Sequence, residues 1–311
     1  MTMFRFLMAK QQQAAAAGFG LFAGGLYSSS YTRTNVTDKY NFSTNSVVAG
    51  TVLGISRNGL GACGNLTLGI FGGGFTPSGR TAAAEIYTYS TNVVSGSASL
   101  SVAKYDLSAC GTDAKGLFRG GNQQFVGAIT ASEIYSYSAN SFSPGTSLNT
   151  ANNATAAAGN TTVGVQGGGF SGGTFRAITE VYTYATNANA NGTSLGVARA
   201  ELSACGNSTL GIFCGGGGVG ASVSAYIDIY TYASNSVTPG TLLSTARRGP
   251  AASGVASFGI IAAGNTAAGT GGELLTTEIY TYATNGVSGG SNLVTIARNG
   301  LAGTSSTPGH L

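Results

Sequence analysis

The chain of 311 residues has no tryptophan, a single histidine, four cysteines and only 8% charged residues. Each scarcity removes a class of function. His310 stands almost at the end, so neither a Ser-His-Asp nor a Cys-His catalytic arrangement can be assembled, and histidine-rich metal sites are excluded by count. Lys and Arg never run together beyond Arg247-Arg248, and the net charge is +4. The chain therefore carries no basic footprint for nucleic acid or an anionic membrane. Four cysteines make no disulfide framework in a chain this long. Long apolar runs are missing too. Met1 to Lys10 is interrupted by Arg5, lacks the h-region of a signal peptide and is too short to span a bilayer.

What the chain has in abundance is glycine, 51 residues, and a repeated phrase, Glu-Ile-Tyr-Thr-Tyr or a close variant. Its first tyrosine falls at Tyr40, Tyr87, Tyr135, Tyr182, Tyr230 and Tyr280, in steps of 47, 48, 47, 48 and 50 residues. A period in that range marks an array of one supersecondary unit. One unit reads as four short strands: Leu202 to Cys205, Leu210 to Phe213, Tyr226 to Tyr232, and Val237 to Leu243 interrupted by Pro239-Gly240. A proline suits an outer edge strand, where it discourages edge pairing. Double glycines at 24–25, 72–74, 120–121, 167–169 and 215–218, with Gly264 alone in the last unit, permit φ > 0 where strands converge. Four antiparallel strands in each of six units predict an all-β, six-bladed β-propeller.

The pattern resembles the kelch repeat over residues 18–303: Gly215-Gly216, Tyr230, Asn235, Leu243 and Arg247 stand in kelch-like order. The tryptophan usual in the fourth strand is replaced by residues such as Val237 or Phe142, so the likeness is to a divergent kelch-like propeller. Ala17 to Gly25 opens on a second strand and Arg298 to Gly303 ends on a first. The ring is therefore expected to close by pairing of N- and C-terminal strands. The domain plan is an anchoring arm over residues 1–13, one propeller over 14–304 and a tail over 305–311.

Six of the ten acids stand two before the tyrosine, and 19 or 20 residues after each comes a base or, once, a neutral residue. The expected scaffold pairs are Asp38 with Arg57, Glu85 with Lys104, Glu180 with Arg199, Asp228 with Arg247, and Glu278 with Arg298, while Glu133 meets Asn152. Buried charges need such partners. The remaining acids, Asp106, Asp113, Glu201 and Glu273, fall in different units and predict no carboxylate pair for glycoside hydrolysis. Cys63, Cys110 and Cys205 share one slot with Ala158 and Ser253, which reads as a demand for a small packing residue. Asn65, Asn160 and Asn207 head Asn-x-Ser/Thr triplets at the hairpin turn, where turn geometry explains asparagine without glycosylation.

These readings predict a non-enzymatic binding module, with no catalytic residues, cofactor or metal. Its contacts fall to the loops after the double glycines: Phe75, Arg80, Phe125, Phe170, Phe175 and Arg176 are the candidate contact residues. Low charge, Gly/Ser/Thr/Asn bias and near-identical repeats are similar in style to structural proteins of tailed phages. That resemblance implies a virion protein of a tail, fibre, baseplate or capsid surface, made in the host cytoplasm without a signal peptide. It would dock other virion subunits through residues 1–13, or touch a host glycan or receptor. The other expectation is an extracellular or cell-surface adhesin or lectin. Neither reading involves nucleic acid or a transmembrane segment.

Overall fold

A computed structural model of the chain describes residues 18–27, 31–219, 222–267 and 271–307; the expected arm 1–13 and His310 lie outside them. The described residues form an all-β structure with six four-stranded antiparallel sheets. Sheet 1 is made by both ends of the chain, in the order Ala302–Ser305, Phe19–Ala23, Thr37–Asn41, Ser46–Ala49. Its terminal strands pair with Gly20 opposite Ser305 and Ala23 opposite Ala302. Sheets 2 to 6 follow in sequence and open on Gly61–Gly64, Ser108–Gly111, Ala156–Gly159, Ser203–Gly206 and Ala251–Gly254. The last strand includes Ser305 and so passes the expected domain limit at 304 by one residue. Among the described residues no helix is long and apolar enough to cross a membrane.

The burial pattern explains the composition. First strands are buried at nearly every position, third strands alternate, and fourth strands are largely exposed. First strands pack on one another in the order of the sheets, and the first strand of sheet 6 packs on that of sheet 1. Close approach forces them to be small. A Cβ on Gly64 would lie 2.4 Å from Thr304 Oγ1, and one on Gly303 would lie 2.1 Å from the Ala252 carbonyl oxygen. Two aromatic positions of the third-strand phrase then lock neighbours together. Tyr135, Tyr182 and Tyr280 donate to Asn140, Asn187 and Asn285 at 2.9, 2.5 and 2.7 Å, and those asparagines hold the next turn at positive φ. The second aromatic reaches the sheet before it. Tyr137, Tyr184 and Tyr282 meet the thiols of Cys63, Cys110 and Cys205 at 3.5, 3.5 and 3.6 Å. The four cysteines are free and buried, and burial pushes the Cys63 and Cys205 thiols up to about 12.

The asparagines of the first hairpin turn act through their side chains rather than through left-handed backbone. Asn65, Asn160 and Asn207 cap their own turns through Oδ1 and reach across to Asp113, Ser208 and Ala256 of the following sheet through Nδ2. Left-handed backbone belongs instead to the third-strand turn, at Asn45, Asn92, Asn140, Asn187, Asn235 and Asn285.

At the centre, one residue from each connector forms a hydrogen-bonded circuit. Asp106 N donates to Gly59 O, Ala154 N to Asp106 O, Glu201 N to Ala154 O, Gly249 N to Glu201 O, Gly300 N to Gly249 O and Gly59 N to Gly300 O, at 2.6–2.8 Å. All six hold φ between +52° and +61°. The circuit returns to its start, and each step crosses from one sheet to its neighbour.

Candidate functional site

The repeated charges form a girdle, with partners other than those the spacing suggests. Each base pairs with the acid that follows it: Arg57 with Glu85 at 2.7 Å, Lys104 with Glu133 at 2.8 Å, Arg199 with Asp228 at 2.5 Å, Arg247 with Glu278 at 2.7 Å, and Arg298 with Asp38 at 2.8 Å. The pairs expected 19 or 20 residues apart do not meet as ion pairs, because the base sits in the connector leading into a sheet and faces that sheet's own third strand. Its carbonyl ties back: Gly25 N donates to Arg57 O and Gly169 N to Arg199 O. Each base thus links the preceding sheet through its backbone and the following sheet through its side chain. Burial lowers the pKa of Arg57, Lys104, Arg247 and Arg298, and their carboxylates oppose the shift.

Glu180 is the acid whose base slot is neutral. Asn152 fills that slot and donates to Gly168 O at 2.7 Å, as the Arg199 guanidinium donates to Gly215 O at 2.8 Å. The cation has moved to Arg119, buried at the end of Lys115–Arg119. Arg119 donates to Asn189 Oδ1 at 2.5 Å, and Asn189 Nδ2 donates to Glu180 at 2.6 Å. The sequence signal was available, since Gly72 and Gly167 occupy the matching place in sheets 2 and 4.

Above the circuit lies a cavity of about 320 Å³. Leu60, Leu107, Leu202, Pro250 and Leu301 line its apolar part, and a narrower channel continues between the first strands. Its polar lining includes Asn58, Tyr105, Asp106, Glu201, Arg248 and Asn299, with Tyr31 at the mouth. Sequence reasoning set Asp106 and Glu201 aside as members of different units, yet the circuit brings both to one cavity. Both stand two after the base slot, where other units carry Gly59, Gly249 and Gly300. That departure was legible.

The charges of this cavity are unevenly partnered. Arg248 holds Glu201 with two guanidinium nitrogens, Nε at 2.7 Å, in a pair that remains partly exposed. The hydrogen bonds to Glu201 raise the Arg248 pKa. Asp106 is half-buried over Gly59, where a Cβ would stand 2.5 Å from Asp106 Oδ1. Its carboxyl is pushed up to about 7, first by desolvation and then by Glu201, against the pull of Arg80 and Arg248.

The six loops after the double glycines border the same face. Each pairs with a connector, as in Asn58 with Phe75, Tyr105 with Asn122, Asn153 with Phe170, Ala200 with Gly217, Arg248 with Asn265 and Asn299 with Leu26. The candidate contact residues divide into groups. Phe75 packs edge-on against Tyr105 at 5.3 Å, between the guanidinium groups of Arg33 and Arg80. Arg80 also donates to Asn122 Oδ1 at 2.8 Å. Phe170 and Phe175 pack on each other at 5.2 Å, and Arg176 is half-buried beside them. Phe125, at a loop tip with φ +63°, is 99% exposed. No family model and no curated protein matches this chain.

Proposed function

We propose that the six sheets are the blades of a divergent, kelch-like β-propeller acting as a non-enzymatic binding module. One observation carries this reading: the six-step circuit takes one residue from every connector between the sheets, and the residues that break the repeat gather at its mouth. A closed array removes free sheet edges and leaves loops as the variable part. The bases and acids of the repeat are engaged in the girdle, which supports assigning them to the scaffold. Recognition then belongs to the loop face, with Phe125 as its most exposed apolar contact.

The setting we favour is a virion surface, where such a module docks neighbouring subunits or meets the host. The support is compositional: 8% charge and six closely similar units. Mass spectrometry of purified particles tests it, together with a Phe125→Asp variant scored for incorporation or host attachment. The chain is expected in particles, with attachment or incorporation reduced by the loop change. Absence from particles sinks the virion reading.

A further inference from the structure

The mouth of the circuit contains a cost that the fold does not require. Glycine adopts φ near +60° freely, and Gly59, Gly249 and Gly300 use that freedom. Asp106, Ala154 and Glu201 hold the same conformation at φ of 54°, 52° and 55°. A residue with a Cβ is strained in that region, where glycine is not. The repeat had glycine available at this position, and two of the three exceptions are carboxylates in one cavity. Strain retained at a cavity mouth points towards use rather than packing.

The lining specifies what can be held. Backbone groups of the circuit are engaged with one another, so recognition falls to side chains. Among the described residues, Asn58 Oδ1 is a buried acceptor without a partner, and no hydrogen bond is donated to the Asp106 carboxylate. Both ask for hydroxyl or amide donors. Arg248 and Asn299 line the same space and offer donors in return. Above about pH 7, where Asp106 is ionised, its charge and that of Glu201 balance Arg80 and Arg248, so neither a cation nor an anion is selected by net charge. Leu60, Leu107 and Leu202, with the Tyr31 and Tyr105 rings, supply apolar surface. The volume stands at the lower end of ligand cavities, about 300–1,000 Å³.

We infer that this mouth binds one neutral sugar unit, a hexose or N-acetylhexosamine at the end of a glycan, with Asp106 and Asn58 accepting from its hydroxyls and Arg248 donating. A pyranose joins hydroxyl edges to an apolar C–H face, as polar walls above an apolar floor require. The inference rests on the binding-module reading and gives it a ligand.

The test uses the full chain on a glycan array carrying neutral, amino-sugar and sialylated termini, followed by titration of the free monosaccharide from the best binder. Asp106→Gly and Glu201→Gly restore the residue of the other units, so both variants fold, with unfolding temperatures equal to or above that of the parent. Neutral termini should bind, and each variant should weaken binding at least tenfold. Absence of binding to neutral termini, preference for charged ones, or undiminished binding by both folded variants overturns the proposal. Incorporation of Asp106→Gly into particles at the normal level separates failure of the sugar site from failure of the virion reading.

Discussion

Replacing Arg199 by methionine tests the girdle where its geometry is best defined. The guanidinium donates to Phe213 O at 2.9 Å and Gly215 O at 2.8 Å and pairs with Asp228 at 2.5 Å, with both side chains almost fully buried. Methionine keeps the stem's packing and removes the charge, leaving Asp228 with the Gly196 amide at 3.1 Å. Stranding a buried partner costs about 3–5 kcal/mol. Total stability is on the order of 5–15 kcal/mol, so the single change should remove about a fifth of it or more. Arg199→Met/Asp228→Asn should recover most of the loss, because removing both charges is often near neutral. Arg248→Met, at the partly exposed pair, should cost only about 0–1 kcal/mol. Urea unfolding followed by circular dichroism gives all three values. A loss below about 1 kcal/mol for Arg199→Met, or a double variant no better than the single, refutes the reasoning.

Three further outcomes follow from the same geometry. The folded state keeps the Asp106 proton up to about pH 7, whereas an ordinary aspartate releases it near 3.8, so this residue makes stability fall as pH rises through that window. Asp106→Gly should flatten that slope between pH 4 and 7 in thermal melts; an unchanged slope contradicts the assignment. Among the described residues Tyr232 Oη has no partner, because Ala158 fills the slot that holds a thiol elsewhere, so Ala158→Cys should raise stability by about 0.5–1 kcal/mol, read by denaturant midpoint. Gly211 faces that slot as Gly116 faces Cys63, which leaves room for the sulfur. Deleting residues 302–311 removes the first strand of sheet 1 and the Ser305 carbonyl that Tyr89 reaches at 3.0 Å. The melting temperature should drop by at least about 5 °C; an unchanged value argues against closure by the terminal strands.

Much of this architecture is written in the sequence, because a demand repeated six times shows itself within one chain. The tyrosine period locates the sheets, and the half-units at either end announce the pairing of Phe19–Ala23 with Ala302–Ser305. Ion-pair partners were not legible from spacing. Distance along the chain does not say that Arg57 faces the strand after it, and the acid before it was the nearer choice. Arg119 was hidden for a related reason: its charge serves Glu180 in the next sheet through Asn189. The mouth was missed because Asp106 and Glu201 are 95 residues apart (106 to 201), and only the hydrogen-bonded circuit brings them to one cavity. Their offset from the base slot, read against Gly59, Gly249 and Gly300, was the available signal. Side-chain surroundings of Phe75 and Phe170 could not be read from composition, since packing against Tyr105 or Phe175 depends on how adjacent loops meet.

Hydrogen exchange at the six circuit amides tests the central claim most directly. Gly59, Asp106, Ala154, Glu201, Gly249 and Gly300 come from six different connectors, and each amide is held by the preceding connector's carbonyl at 2.6–2.8 Å. If the ring closes as described, all six exchange slowly and together, with protection close to the global unfolding free energy. Fast exchange at any one of them, with slow exchange at the others, would mean an open array and would contradict the account.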